Sequence, residues 1–184
     1  MSDTAVREEG ETVLMSVTYD LPAGNQYLIT YRIYRDGVVN VNVKFTQTDR
    51  EAEKTEVLED TNLATFTPGK KVKKKDVLEV PRIGVRFRIP HVMNRVEYFG
   101  RGPVENYVDR NAGSMVGRYK TSVEEMYVNY VRPQENGHRT DTRWVSFTNT
   151  AGRGLLVLAE KTIGFNALRN TVEDFDSEES SHPY

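Results

Sequence analysis

The chain has 184 residues, a formal net charge of -2, 38% hydrophobic residues, seven Phe, ten Tyr, one Trp and no Cys. That length supports a domain with a core of its own, and the near-neutral charge calls for neither nucleic acid nor an anionic membrane surface. Without cysteine there is no disulfide framework and no thiolate metal site, and no run of 18 or more apolar residues is present to span a membrane.

Residues 1–10 are polar and acidic, with no apolar core, and read as an N-terminal tail rather than a signal peptide. From there the dominant period is two. Val13, Met15, Val17 and Tyr19 share one face of a first strand, and Tyr27, Ile29, Tyr31 and Ile33 share one face of a second. Val39, Val41, Val43 and Phe45 alternate with Asn40, Asn42 and Lys44 in a third. Asp36-Gly37 joins the last two as a hairpin, because Gly accepts positive φ. Lys70–Lys75 holds five lysines in six residues. This run reads as a solvated hairpin beside Pro68-Gly69 or an edge protected by charge. Ile83, Val85, Phe87 and Ile89 predict another strand, followed by strands at Arg95–Phe99, Trp144–Asn149 and Leu155–Glu160. Leu155–Leu158 is apolar on both faces, which predicts a central position in its sheet. Helical signals are short. Ser122-Val-Glu-Glu125 reads as a capping box, and Thr171–Asp174 can start one turn. Short strands between frequent turns predict an all-β fold, a large antiparallel β-sandwich.

Two segments differ from generic strand or turn. Tyr98–Arg110 sets Gly and Pro beside Arg101, Glu105, Asn106, Asp109 and Arg110. Tyr130–Trp144 carries Glu135, Asn136, Gly137, Arg139, Asp141 and Arg143 before the only Trp. Ordered polar loops need internal hydrogen bonds, and Arg–carboxylate pairs are directional, so Arg101, Glu105, Asn106, Asp109, Arg110 and Arg143 are candidates for locking one loop to the other. The same residue types also suit a sugar-binding surface. A glycosidase acid/base pair cannot be chosen by spacing among Glu105, Asp109, Glu124, Glu125, Glu135 and Asp141, since carboxylate separation is a property of the fold. His91, His138 and His182 are far apart in sequence, which argues against a zinc site.

The runs YFGRGPVENYVDR and YKTSVEEMYVNYVRPQENGHRTDTRW resemble the C-terminal small-chain domain of family-2 β-galactosidases. The resemblance extends to Val80-Pro-Arg-Ile-Gly84, Phe165-Asn-Ala-Leu168 and Thr171–Asp174, and it covers Glu11 to the C-terminus. It implies a supersandwich similar to galactose mutarotases, in which residues 11–184 form the domain, truncated at its C-terminal end before the family's sugar-contacting tryptophan. It implies that the catalytic glutamates lie elsewhere, in a TIM barrel of a larger polypeptide, and that this segment alone is inactive. By motif match Glu135, Asn136, Gly137 and Arg139 lie near the substrate entrance. The implied partners are the remaining domains, above all the barrel, and a galactoside; no cofactor is implied, and the compartment stays open between cytoplasm and periplasm. Two other functions are alternatives: a non-catalytic carbohydrate-binding module, and a free-standing aldose epimerase, which the implied fold also serves although three scattered histidines do not make its acid–base constellation recognisable.

Overall fold

The computed structural model describes residues 2–21, 24–46, 83–131 and 135–175. The lysine run at Lys70–Lys75 lies outside them. The chain divides into two compact units, Met1–Arg86 and Phe87–Tyr184. The described residues are nearly all β: two antiparallel sheets of four strands, with helix limited to two four-residue turns.

The first unit is a meander of β1 (Ser2–Glu9), β2 (Thr12–Asp20), β3 (Gln26–Tyr34) and β4 (Val39–Thr46), in that spatial order. Register puts Val6, Met15, Tyr31 and Val41 on one rung and Thr4, Val17, Ile29 and Val43 on the next. The apolar period-two residues therefore share one face. Val17 and Ile29 are buried at its centre. The β3–β4 hairpin turns at Asp36-Gly37, where Gly37 has φ +87° and Tyr34 N donates to Val38 O at 2.9 Å. Residues 1–10, which read as a tail, contain instead the edge strand β1, paired with β2 from Ser2–Tyr19 to Glu9–Thr12. The turn between them is Gly10-Glu11, with Gly10 at φ +61°. Its polar composition suits an edge, where charge discourages further pairing. A groove of about 360 Å³ runs beside Tyr19, Tyr27, Tyr31 and Arg86.

Ile83–Ile89 is not a strand. Its alternation is real, but Ile83, Val85 and Phe87 are at least 40% exposed, and no partner backbone lies alongside among the described residues. Alternation alone does not make a strand without a ladder to join.

The second unit has the order β6-β5-β7-β8, from β5 (Arg95–Gly102), β6 (Met115–Ser122), β7 (Arg139–Thr148) and β8 (Gly154–Phe165). Val96, Tyr98, Val145 and Phe147 project from one face into a core closed by Met126 and Ala167. Met126 comes from α1 (Val123–Met126). That turn starts with a complete capping box: Glu125 N donates to Ser122 Oγ at 3.2 Å, and Ser122 N donates to Glu125 Oε2 at 2.9 Å. α2 (Val172–Phe175) is the other turn, opened by Thr171 N donating to Asp174 Oδ2 at 2.5 Å. β8 lies at the edge of the described sheet, not at its centre, and Leu156 and Leu158 are exposed. Apolar residues on both faces do not by themselves report a second neighbouring strand.

Candidate functional site

The end of β5 approaches β7 closely because it carries glycine. A Cβ at Gly100 would sit 2.5 Å from Thr142 Oγ1, and one at Gly102 would overlap the Tyr98 hydroxyl. With those positions bare, the chain turns through Gly102-Pro103, a cis peptide, into the loop holding Glu105 and Asn106.

Asn106 is fully buried and uses both ends of its amide. Its Oδ1 accepts from Thr140 N at 3.0 Å and from Thr140 Oγ1 at 2.6 Å; its Nδ2 donates to the carbonyls of Arg101 and Val104, both at 3.1 Å. Asn106 N also donates to His138 O at 2.9 Å. One side chain thus ties the first loop to itself and to the start of β7.

Glu105 does the same with charge. Its side chain is 7% exposed, and its carboxylate accepts from Gly137 N at 2.9 Å, from Arg110 Nη2 at 2.8 Å and from the Tyr130 hydroxyl. Tyr107 adds a longer bond to Glu105 Oε2 at 3.4 Å. The Tyr107 ring is stacked on His138, with centroids 5.4 Å apart, and the Arg110 guanidinium lies 4.5 Å from the Tyr107 centroid. Burial, then the negative charges of Glu105 and Glu135, push the Tyr107 phenol up to about 12. A raised pKa means that the folded state favours the neutral phenol. The corresponding stability is complete below the ordinary value near 10 and is lost as pH rises through the folded value. Ultraviolet titration should therefore show one tyrosine ionising near pH 12 that is absent in Tyr107→Phe. If the two titrations overlay, the environment described for this ring is wrong.

Asn136 is buried and pins the second loop to the residues after α1. Its Oδ1 accepts from Val128 N at 2.7 Å, and its Nδ2 donates to Val128 O at 2.5 Å. Gly137 has φ +69°, and an added Cβ would lie 2.7 Å from Met126 O, so glycine is required twice over. Arg139 is buried, donating through Nε to the Tyr98 hydroxyl and through Nη1 to His138 O, both at 3.1 Å. Burial raises the Tyr98 phenol, and the bond from Arg139 partly offsets that rise. Farther along, Arg101 Nε pairs with Asp141 Oδ2 at 2.5 Å and Arg101 Nη1 donates to Ser114 O at 2.9 Å. Asp141 has φ +51° and lies within the first of two register shifts of the β7–β8 ladder, the one between Arg139 and Thr142. Bulges of this kind re-aim side chains, and Asp tolerates the left-handed region better than most residues.

The residues singled out from the sequence therefore divide. Arg101, Glu105, Asn106 and Arg110 bridge the two loops, Arg110 donating both to Glu105 and, at 3.2 Å, to the Tyr130 hydroxyl. Arg143 donates within its own segment, to Asp141 O at 2.5 Å, and its guanidinium lies 5.4 Å from the ring centroid of Phe99 in the first segment. Asp109 is exposed, and its carboxylate has no hydrogen bond or ion pair among the described residues. Glu135 is exposed, whereas Asn136, Gly137 and Arg139 are buried. Tyr98, Tyr107, Tyr130, His138 and Thr140 complete the bracing, and sequence reasoning did not single them out for it. Among the described residues no three His, Asp or Glu side chains gather as a metal site needs.

What the fold and loops define is an all-β region with irregular loops braced by buried polar side chains. The chain belongs to the β-galactosidase small-chain family, which it matches over residues 1–184. It is 41% identical over 106 residues to a β-galactosidase of Priestia megaterium, an alignment covering 58% of this chain and 10% of that protein. It is 28% identical over 186 residues to a β-galactosidase of Streptococcus thermophilus, covering all of this chain and 16% of the relative. A Vibrio cholerae β-galactosidase is 47% identical over 68 residues, 37% of this chain and 7% of the relative. The chain thus spans a small fraction of the length of the relatives it matches.

Proposed function

We propose that this chain serves as an auxiliary domain of a β-galactosidase, lending a rigid loop block to the rim of an active site whose catalytic carboxylates lie elsewhere in the polypeptide. The observation that carries the reading is the bracing of 98–110 against 128–142 by Glu105 and Asn106, in the segments where the resemblance is strongest. Rigid, buried amide and carboxylate anchors are what a loop needs if it must hold an exposed side chain at a fixed place. Glu135 is that side chain. The 16% share of the Streptococcus thermophilus relative supports a larger polypeptide as the setting. In that setting the barrel is the neighbour and a terminal β-galactoside the substrate.

The chain alone should not turn over a chromogenic galactoside, because hydrolysis needs two carboxylates flanking the bond at a set separation, and here Glu105 is committed to structural donors. Galactose or lactose should bind no more tightly than about millimolar, roughly -4 kcal/mol, since single hydroxyl contacts each gain only about 1 kcal/mol net. Turnover that survives purification from a host lacking its own enzyme refutes the first statement. Micromolar binding in calorimetry refutes the second and favours the carbohydrate-binding module instead. The rim role is tested in the full-length polypeptide by Glu135→Ala. The expected result is a higher KM for galactosides in a protein that still folds; unchanged KM and kcat would remove Glu135 from the rim.

A further inference from the structure

Asn136-Gly137 is the only Asn-Gly pair in the chain. In such a pair the backbone nitrogen of the glycine can attack the asparagine side-chain carbonyl. A C–N bond forms, ammonia leaves, and the succinimide is hydrolysed by water to aspartate or isoaspartate. Glycine makes this easy in flexible chains because no side chain obstructs the attack. Three features of the fold oppose it here.

First, the electrophile is held. Both ends of the Asn136 amide are bonded to Val128, at 2.7 and 2.5 Å, and the side chain is buried, so its carbonyl carbon cannot swing toward the next nitrogen without breaking two bonds. Second, the nucleophile is held. Gly137 N–H donates to Glu105 Oε2 at 2.9 Å. Attack requires loss of that proton, and a carboxylate beside the nitrogen disfavours a second negative charge there. Third, the peptide between them is held: Asn136 O accepts from Asn166 Nδ2 at 2.5 Å, which fixes the peptide plane about which the ring would have to form.

We propose that Asn136-Gly137 is a latent succinimide-forming site, kept inert by Glu105 and the Val128 backbone, and modified only when the loop opens. Either product replaces the amide with a carboxylate, which cannot donate to Val128 O, and isoaspartate also inserts an extra backbone atom, so the loop cannot regain its original pairing. The segment would then carry a one-way record of each opening. This does not depend on the enzyme-rim reading, because it concerns the chain's own backbone.

The test is ageing of the purified chain at mildly alkaline pH, with peptide mapping and methyl transfer by an isoaspartyl methyltransferase as readouts. A synthetic peptide containing Glu-Asn-Gly-His serves as the unstructured reference. The folded chain should modify Asn136 at least about tenfold more slowly than the peptide, the ratio expected if opening costs ~1.4 kcal/mol or more. Urea-unfolded chain should match the peptide. Glu105→Ala should accelerate the reaction toward the peptide rate. Tyr130→Phe, which removes one donor to Glu105 and leaves the carboxylate in place, should accelerate it less and keeps the test usable if Glu105→Ala does not fold. A folded chain reacting as fast as the peptide overturns the proposal. So does a slower reaction in a folded Glu105→Ala, which would make the carboxylate a base that promotes the attack, and so does a Tyr130→Phe rate no higher than wild type.

Discussion

Glu105→Ala is expected to destabilise the second unit by about 3 kcal/mol, from the loss of charge-assisted hydrogen bonds worth roughly 1.5–3 kcal/mol each and the partial rehydration of their donors. The donors are not equal. Arg110 is 54% exposed and returns to water at little cost, so its ion pair contributes about 1 kcal/mol or less. Gly137 N is in a buried segment and has no equivalent acceptor waiting, so it carries the largest share. The Tyr130 hydroxyl is intermediate. Glu105→Gln retains an acceptor oxygen for Gly137 but presents an amide to Arg110, so its cost should be smaller than that of alanine. Chemical denaturation followed by tryptophan fluorescence checks the order, because the only Trp, Trp144, lies in β7 of this unit. A shift in midpoint without a change in slope is expected. An alanine variant within ~0.5 kcal/mol of wild type, the range of an ordinary surface substitution, would mean that Glu105 braces nothing.

The contrast between strands and loops shows where a sequence speaks. β2, β3 and β4 were legible because one face is apolar at every second residue and the turn at Asp36-Gly37 needs positive φ. β1 and β6 were not: β1 carries charge on both faces, Asp3, Arg7 and Glu9 on one and Glu8 on the other, and β6 reads Met-Val-Gly-Arg-Tyr-Lys-Thr-Ser, with only Tyr119 packed against the core cluster. Ile83–Ile89 shows the opposite error, a clean period with no ladder. The loops were visible as polar, Gly- and Pro-punctuated segments, and the residues chosen to lock them include Glu105, Asn106 and Arg101. The partners were not visible. Glu105 reaches Tyr130 and Gly137, 25 and 32 residues away, and one of those donors is a backbone amide that any residue type would supply. Composition reveals that a polar loop must satisfy itself; only the fold determines with which groups. For the same reason Asn136, Gly137 and Arg139 could be selected by motif while their burial could not. Their side chains, or in glycine the lack of one, hold the loop from inside, and Glu135 alone among the four stands in solvent.

Asn106→Ala is expected to cost about 3–4 kcal/mol, because it strands several buried polar groups at once and each unsatisfied group costs on the order of 1–3 kcal/mol before relaxation. Thr140 loses an acceptor for both its amide and its hydroxyl, and the carbonyls of Arg101 and Val104 lose a donor. The total falls below a simple sum, since the hydroxyl can rotate and a water can enter the space left by the amide. Asn106→Asp separates the contributions. It has the same shape and keeps the acceptor facing Thr140, but it turns a carboxylate toward two carbonyl oxygens in a site with no exposure. Burial and those carbonyls both favour the protonated acid, so the folded pKa of the new carboxyl must lie above its ordinary value near 3.9. A group raised in this way stabilises the fold below its unfolded pKa and loses that contribution as pH rises through the folded one. The deficit of the aspartate variant relative to wild type should therefore be smallest in acid, where one oxygen again donates, and largest at neutral pH. Alanine has nothing to titrate, so its deficit should not follow that curve. Denaturation midpoints of the three proteins between pH 4 and 7 decide the matter. An aspartate deficit that stays level with pH would show that the carboxyl has swung out to solvent, and that the first loop does not need a buried amide to keep its place on β7.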